Sequence, residues 1–202
     1  MDETDTTIEI NDFIGCNHCT QMLNELGKHW YLDSSGEETL ARRISQIKEK
    51  GFVKEYDCIL GLSGGLDSSY LAIKAFEWGL RPLLLHVDAG WNSELAVRNI
   101  QKIIDYTGWD LHTVVINWEE MRSLQLAYLK SGITNVDVPQ DHAYFAALYR
   151  FAIKNKINLI LSGGNNASEG IFPSSWHGVP TMDGKNLKAI NRQFGLRKLK
   201  TY

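Results

Sequence analysis

A glycine-rich turn carries the clearest chemical pattern in the sequence, within the stretch Tyr56–Tyr70 that reads YDCILGLSGGLDSSY. The apolar run Cys58–Leu62 ends at Ser63-Gly64-Gly65, and a helical pattern begins at Asp67. This order predicts a strand, a tight turn and a helix N-terminus, where free backbone N–H groups and the helix dipole attract an anion. Two adjacent glycines let the backbone approach a ligand with no Cβ in the way.

Side chains beside this turn extend the prediction to a phosphate and its counter-ion. The hydroxyls of Ser63, Ser68 and Ser69 can donate hydrogen bonds, and Asp67 can either cap the helix or lie near a metal ion. The spacing G-x-x-x-x-G-K-[ST] is absent because no lysine follows the glycines, which excludes a kinase-type or GTPase-type loop. An ordinary connecting turn is the simpler alternative.

A second strand end is predicted at Asp88. The run PLLLHVD over Pro82–Asp88 is apolar nearly throughout, as expected for a parallel strand buried on both faces. Ligands of open α/β sheets bind beyond the carboxyl ends of the strands, which favours a metal or ribose role for Asp88. The alternative is an aspartate that only opens a turn.

A third predicted strand, Asn158–Leu161, leads into another glycine-rich turn. Two such turns fit one ligand held from two sides, so the second turn adds three candidate binding residues: Gly163, Gly164 and Asn165. Glu169 follows closely and is a predicted second oxygen ligand for Mg²⁺, beside Asp67 or Asp88.

The alternation of elements predicts the framework that positions these turns. Apolar runs alternate with segments of helical periodicity in the order β-α-β-α-β-α, which predicts an α/β fold with a Rossmann-like, doubly wound parallel sheet. Residues 136–142 are predicted as a loop before a long helix, with Asp141 and His142 as caps or site residues. The tail from Gly184 shows weak helical character and no clear final element.

Composition bounds the class of protein. A chain of 202 residues with 44% hydrophobic content can bury one sizeable core. The net charge of −3 gives no general nucleic-acid signature, so nucleic acid is not an expected partner. No apolar run is long enough for a membrane span, and three cysteines predict no disulfide framework, so the expected location is the cytoplasm.

The polar segment 1–36 is predicted to be irregular and contains Cys16-Asn17-His18-Cys19. One such pair supplies two thiolates, whereas a closed structural zinc site needs four ligands. His18 and His29 do not have a typical spacing for completing the site. The pair is therefore either reduced and metal-free or one half of a zinc site.

The string Ser63-Gly64-Gly65-Leu66-Asp67-Ser68 resembles the SGGxDS signature of the PP-loop ATP pyrophosphatases, an adenine nucleotide alpha hydrolase-like superfamily. The resemblance implies that the loop holds pyrophosphate while ATP is cleaved between its α- and β-phosphates, with ATP and Mg²⁺ as cofactors. The implied catalytic residues are Asp67, Asp88 and Glu169. The implied nucleotide-binding residues are Ser63, Gly64, Gly65, Asp67, Ser68, Ser69, Gly163, Gly164 and Asn165.

Nearly the whole chain resembles one branch, the N-acetyl sugar amidotransferases of bacterial lipopolysaccharide, O-antigen and surface-polysaccharide synthesis. The matching blocks are Cys16–Cys19, Gly61–Tyr70, His86–Val97, Pro139–His142, Gly163–Asn165 with Glu169, and Pro173 with Trp176. Such enzymes are thought to adenylate the carbonyl oxygen of a sugar N-acetyl group. Ammonia then displaces AMP and leaves an acetamidino group.

The same resemblance implies partners and domain limits. Ammonia is expected from a separate glutaminase through a cyclase-like channel subunit, with a sugar nucleotide as substrate. We expect an N-terminal extension over 1–36 and a PP-loop domain over 37–202 that continues beyond this chain. Family members carry a further cysteine pair upstream, so Cys16 and Cys19 form half of an expected Zn²⁺ site.

Three alternatives remain open. A tRNA-thiolating PP-loop enzyme predicts a basic RNA-binding face and catalytic cysteines, which the net charge and the strand position of Cys58 count against. An ammonia-dependent synthetase of the NAD-synthetase kind is supported by the Gly163–Asn165 turn with Glu169. A non-enzymatic nucleotide-binding scaffold for the glutaminase is the third.

Overall fold

The computed structural model of the protein describes residues 2–11, 15–25, 28, 30–165, 169 and 180–200. The chain forms two compact units, the first made of residues 1–46 and 164–178 and the second of residues 47–163 and 179–202. The division expected from the sequence, into 1–36 and 37–202, stays a prediction. Within the described ranges, no helix combines the length and apolar character that a membrane span requires.

The first unit is more regular than predicted. Strands β1 (Ile10–Asn11) and β2 (Gly15–Cys16) pair antiparallel, and helix α1 (Asn17–Glu25) follows directly. Asn17 joins them, because its amide donates to Thr7 O at 2.9 Å and its side-chain oxygen accepts from Glu9 N at 3.1 Å. The prediction of an irregular segment over 1–36 was therefore wrong for this part. Helix α2 (Ser34–Gly51) begins in this unit.

The second unit contains a parallel sheet, which confirms the predicted α/β class. Its strands are β3 (Cys58–Gly61), β4 (Pro82–Asp88), β5 (Leu111–Val115) and β6 (Ile160–Leu161), in the spatial order β5-β4-β3-β6. β3 pairs with β4 and with β6, and β4 also pairs with β5. After β3 the chain forms β4 and β5 on one side of this strand, and it later returns to form β6 on the opposite side of β3. The turn after β3 therefore opens at a topological switch point, where α/β sheets bind ligands.

Within the described residues, five helices accompany the sheet: α3 (Leu66–Glu77), α4 (Glu94–Thr107), α5 (Trp118–Ser131), α6 (Val138–Lys154) and α7 (Gly184–Phe194). α6 begins inside the segment predicted as a loop. Pro139 lies in its first turn, where a missing backbone N–H removes no intrahelical bond. The tail also forms a full helix, since Asp183 caps α7 by accepting from Lys185 N and Asn186 N, both at 3.0 Å.

Helix α6 covers one face of the sheet. Its Leu148 and Ala152 pack in one buried cluster with Ile59, Leu83 and Leu85 of the central strands. β3 and the first six residues of β4 are buried, as the apolar sequence predicts for a sheet enclosed on both faces. This packing places the N-terminal turn of α6 at the carboxyl end of the sheet, beside the turn after β3.

An ion pair anchors the start of β3 to the start of β4. The buried Asp57 carboxylate accepts from Arg81 N at 2.9 Å and from Arg81 Nη2 at 2.7 Å, and the same Nη2 donates to Gly51 O at 2.9 Å. The hydrogen bond and charge of Asp57 hold the pKa of Arg81 above its usual value. The pair therefore joins α2, β3 and β4 at the end of the sheet opposite the glycine turn.

Replacing Asp57 tests this anchor. Asp57→Ala leaves the part-buried backbone N–H of Arg81 without its acceptor, so we expect the free energy of unfolding to fall by about 2 kcal/mol. Asp57→Asn keeps one of the two accepting oxygens and loses the charge and the second acceptor, so we expect a smaller loss of about 1 kcal/mol. Urea unfolding measures both. Equal losses for the two variants would contradict the assignment of the buried hydrogen bond.

Candidate active site

The turn after β3 has a form that only glycine allows at one position. Gly64 has φ +77, and a Cβ built there would overlap the backbone carbonyl of Ala96 in the first turn of α4. The side chain of Asn99 also donates to Gly64 O at 2.9 Å. Gly64 therefore packs against α4, and its missing Cβ does not face a ligand. The expectation that both glycines clear space for a ligand is corrected for Gly64.

Gly65 has the open position that was expected of both glycines. It is the N-cap of α3, with φ −74 and ψ 171, and no side chain caps the helix. A Cβ built at Gly65 meets only Ser63 Oγ, at 3.3 Å, and otherwise points into open space. A ligand can thus approach the first N–H groups of α3 over Gly65.

Two of the three serines, Ser63 and Ser68, form hydrogen bonds within the turn. Ser68 Oγ accepts from Ser63 N at 3.2 Å and lies 3.0 Å from Ser63 Oγ, which in turn accepts from Gly65 N at 3.3 Å. Ser69 differs, because its Oγ is enclosed and has no hydrogen-bond partner among the described residues. Buried hydroxyls are normally paired, so Ser69 is the serine whose hydroxyl is left for a ligand or a water.

A pocket of about 290 Å³ opens beside Gly65 at the carboxyl ends of β3 and β4. Its walls come from the turn, from β4 and the loop after it, from α4 and from α6. The lining residues are Ser63, Gly65, His86, Val87, Ala89, Trp91, Asn92, Ser93, Ala96, Gln140 and Tyr144.

Three helices begin at this pocket. Gly65 precedes α3, Ser93 caps α4 by accepting from Ala96 N at 3.1 Å, and Gln140 lies in the first turn of α6. The lining residues that the structure describes include no Asp, Glu, Lys or Arg. Helix N-termini carry partial positive charge, so attraction of an anion into this pocket would come from backbone dipoles rather than from basic side chains.

His86 fixes one wall of the pocket. The buried ring lies 2.9 Å from Leu62 O at Nδ1 and 3.0 Å from the Asn92 amide nitrogen at Nε2. Because a carbonyl only accepts and an amide NH₂ only donates, Nδ1 carries the proton and Nε2 accepts. The ring ties the end of β3 to the loop that follows β4.

Burial raises the pKa of two residues near the start of α6. It raises the pKa of the Tyr144 hydroxyl, which therefore stays protonated in the pocket wall. Burial, with a smaller contribution from Asp137, also raises the pKa of Asp141 above its ordinary value. Asp141 does not line the pocket, whereas its neighbour Gln140 does.

The predicted carboxylates lie near the pocket without lining it. Asp67 is exposed in the first turn of α3 and is not its N-cap, which removes the capping alternative. Asp88 ends β4, and its carboxylate accepts from Gly90 N at 2.9 Å. It therefore opens a turn, which is one of the two roles that the sequence predicted for it. Whether either carboxylate binds a metal stays a prediction.

The second glycine turn divides between the two units. Gly163 lies against the first turn of α3, where a Cβ would come within 3.0 Å of Ser68 N. Gly164, Asn165 and Glu169 belong to the first unit, in which Asn165 N donates to Glu169 Oε2 at 3.2 Å. The two-sided clamp and the Mg²⁺ role of Glu169 stay predictions. Pro173 and Trp176 lie outside the described residues.

The cysteine pair lies at the start of α1. Cys16 Sγ and Cys19 Sγ are 3.7 Å apart, close to the spacing of about 3.8 Å that two thiolates have around tetrahedral Zn²⁺. The backbone N–H of Cys19 lowers the pKa of the Cys16 thiol, against the opposing effect of burial. His18 Nε2 bonds instead to Asp5, at 2.6 Å.

A zinc site is not completed in the part of the chain that the structure describes. No group of three or more His, Cys, Asp or Glu with suitable geometry occurs there. The pair thus has the geometry of two of the four ligands, and bound zinc stays a prediction.

Sequence reasoning assigned no role to several residues of the pocket: His86, Asn92, Ser93, Gln140 and Tyr144. One signal was available for His86, which is the single polar residue inside the apolar run of β4 before Asp88. Gln140 and Tyr144 are one helical turn apart on α6, but the predicted loop over 136–142 hid that relation.

Comparison with known proteins identifies the fold. No protein-family profile matches the chain, and no curated protein matches its sequence. Among solved structures, the glutamine-dependent NAD⁺ synthetase of Acinetobacter baumannii in complex with ADP has a TM-score of 0.50 and 16% identity, over 74% of this chain and 31% of that one.

Two shorter proteins give similar values. The NH₃-dependent NAD synthetase of Campylobacter jejuni, in complex with the nitrate ion, has a TM-score of 0.49 and 13% identity, over 77% of this chain and 72% of that chain. The NMN synthetase of Francisella tularensis has a TM-score of 0.48 and 16% identity, over 78% and 70%. At these identities the likeness concerns the fold.

Substitution of the two glycines separates their roles. Gly64→Ala must adopt positive φ and overlap the Ala96 carbonyl, whereas Gly132→Ala has a similar φ of +70 in open space. We expect Gly64→Ala to lower the free energy of unfolding by about 2 kcal/mol more than Gly132→Ala does. Gly65→Ala is unstrained, and we expect a change within about 1 kcal/mol. Chemical denaturation measures all three, and equal losses for Gly64→Ala and Gly132→Ala would disprove the contact with α4.

Thiol labelling tests the role of Cys58. Burial, followed by the charge of Asp57, raises the pKa of this thiol to about 12, so it stays protonated at pH 8. We expect a disulfide reagent such as DTNB to leave Cys58 unmodified in the native protein at pH 8 and to modify it after denaturation. Fast labelling of Cys58 in the native state would contradict its enclosure in β3.

Proposed function

We propose that this chain is an ATP pyrophosphatase of the PP-loop superfamily, which holds the phosphates of ATP at the turn after β3 and cleaves between the α- and β-phosphates. The observation that carries the proposal is the position of Gly65. This residue leaves an open approach to the first turn of α3, in a pocket where two further helices begin.

The residues present fit a bound triphosphate. Gly65 leaves room for phosphate oxygens against backbone N–H groups, and the enclosed Ser69 hydroxyl lacks a partner among the described residues. Asp67 in the first turn of α3 and Asp88 at the end of β4 supply carboxylate oxygens, the ligand type that Mg²⁺ prefers. Mg²⁺ would neutralise charge on the phosphates when bound.

One solved structure supports an adenine nucleotide as ligand. The A. baumannii enzyme of similar fold is a glutamine-dependent NAD⁺ synthetase, and its structure is a complex with ADP. Together with the SGGLDS string, this favours a ligase that uses ATP to activate an acceptor for attack by ammonia.

For the acceptor, we propose the N-acetyl group of a sugar nucleotide, with ammonia from a partner glutaminase delivered through a cyclase-like subunit. The support is the resemblance over His86–Val97 and Pro139–His142, segments that contribute most of the pocket wall opposite Gly65. Amide oxygen is a poor nucleophile, so the protein must orient it toward the α-phosphorus. In this proposal Gln140, which lines the pocket, would hold the acceptor, and the Asn92 side-chain oxygen would assist it.

In this scheme no side chain forms a covalent intermediate. The amide oxygen attacks the α-phosphorus, pyrophosphate leaves, and ammonia then displaces AMP at the activated carbon. The three helix N-termini favour the charge that develops on the departing pyrophosphate. The His86 ring, held by Leu62 O and Asn92, keeps the pocket wall in place during these steps.

Two other PP-loop activities, tRNA thiolation and an NAD-synthetase-like activity, receive different support. A catalytic cysteine for tRNA thiolation is not supplied by Cys58, because this thiol is fully buried and its pKa is raised to about 12. An NAD-synthetase-like activity, with ammonia attacking an adenylated carboxylate, is favoured by the fold shared with the A. baumannii enzyme. It is the second candidate.

ATP–pyrophosphate exchange distinguishes these activities. Purified protein, Mg²⁺, ATP and labelled pyrophosphate are combined with N-acetylated sugar nucleotides, with their de-acetylated forms as matched controls, with a dinucleotide carboxylate or with tRNA. We expect exchange that depends on the acetyl group. Exchange only with the carboxylate would establish the NAD-synthetase-like candidate, and exchange only with tRNA would place the chain among the thiolating enzymes.

Gly65→Ala tests the phosphate site itself. The added methyl projects into the space above the first turn of α3, so we expect ATP affinity to fall about tenfold or more while the fold is retained. Isothermal titration with Mg²⁺-ATP measures the affinity. An unchanged affinity in the folded variant would show that phosphate does not bind over Gly65.

A further inference from the structure

A second cleft of about 300 Å³ lies beside α6. It runs along β5, which is an edge strand of the sheet, and along the length of α6. Its lining residues are Val114, Val115, Ile116, Asn117, His142, Ala143, Ala146, Ala147, Arg150, Phe151 and Lys154. It shares no residue with the pocket at Gly65.

The shape of this cleft comes from small residues on α6. Ala143, Ala146 and Ala147 are spaced three and four residues apart, so they lie on one face of the helix and leave a hollow beside β5. Val114 and Ile116 form the strand side of the cleft. These walls would bury an apolar group of a few ring atoms.

Phe151 forms a fixed wall within the cleft. Its ring stacks on the His112 ring of β5, with centroids 4.5 Å apart and an interplanar angle of 20°. Phe151 also packs against the buried cluster between α6 and the sheet. The ring is therefore held in place before any ligand arrives, which lowers the entropic cost of binding.

The charged side chains among the described lining residues of the cleft are basic. Arg150 and Lys154 lie one helical turn apart on the face of α6 that lines the cleft, and His142 lies toward the other end. The described lining residues include no Asp or Glu. His142 is held in position, because its Nδ1 lies 2.8 Å from Thr181 O and must donate to that carbonyl.

We propose that the β5–α6 cleft is a second ligand site, which binds a small organic anion with an apolar body. The apolar part lies over the alanines of α6, beside Phe151, and the anionic group faces Arg150 and Lys154. The apolar walls contribute affinity through burial, and the two cations select a carboxylate, sulfonate or phosphate over a neutral analogue.

Binding of 2-naphthoate to the full chain tests this site, with 2-naphthylmethanol as the uncharged analogue of the same ring system. Amide NMR shifts of ¹⁵N-labelled protein locate the ligand and give its affinity. We expect saturable shifts within 114–117 and 142–154 for the naphthoate, and about tenfold weaker binding of the alcohol. Shifts that scatter over the surface, or equal affinities for the two probes, would overturn the proposal.

Charge reversal at Lys154 supplies the second arm. Lys154 is exposed, so Lys154→Glu should fold, and we expect it to weaken naphthoate binding about tenfold while binding of the alcohol stays within about twofold. Lys102→Glu makes the same change on exposed α4 and is expected to have no effect on either probe. If both variants weakened naphthoate binding equally, the effect would come from the net charge of the protein, and the proposed site would be contradicted.

Saturating Mg²⁺-ATP separates this site from the one at Gly65. We expect naphthoate affinity to be unchanged by the nucleotide, because the two pockets share no lining residue. Competitive loss of naphthoate binding would show that the probe occupies the nucleotide pocket, and the proposal of a second site would then be wrong.

Discussion

The contact between Gly64 and the backbone of Ala96 determines the geometry of the candidate site. It requires positive φ at Gly64, it brings the turn after β3 against the first turn of α4, and Asn99 secures it through Gly64 O. Because Gly64 packs against α4, Gly65 is the glycine that stays exposed at the start of α3. One packing contact thus places two helix N-termini side by side and leaves the approach to one of them open.

The sheet topology explains why the third helix reaches the same place. β6 returns to the far side of β3, so the long helix α6 must cross the sheet, and its first turn then lies at the carboxyl ends of the central strands. α6 lines two clefts of different character. The cleft at Gly65 attracts anions through backbone dipoles, whereas the cleft along β5 combines apolar walls with the side-chain cations Arg150 and Lys154.

Much of this framework is predictable from the sequence because its signals are local. The apolar run of β4 and the Ser63-Gly64-Gly65 turn identify buried strands and a helix start without knowledge of the rest of the chain. The different roles of the two glycines were not predictable, since they depend on α4, which lies some thirty residues later in the chain. The early start of α6 was missed because Pro139 is compatible both with a loop and with a first helical turn.

The most direct test of this account is a crystal structure of the protein with Mg²⁺ and an ATP analogue that cannot be cleaved between its α- and β-phosphates. The account predicts phosphate oxygens within hydrogen-bond distance of the backbone N–H groups that follow Gly65, with Ser69 Oγ turned toward them. A nucleotide bound elsewhere, including the cleft along β5, with the turn after β3 left without phosphate, would contradict it.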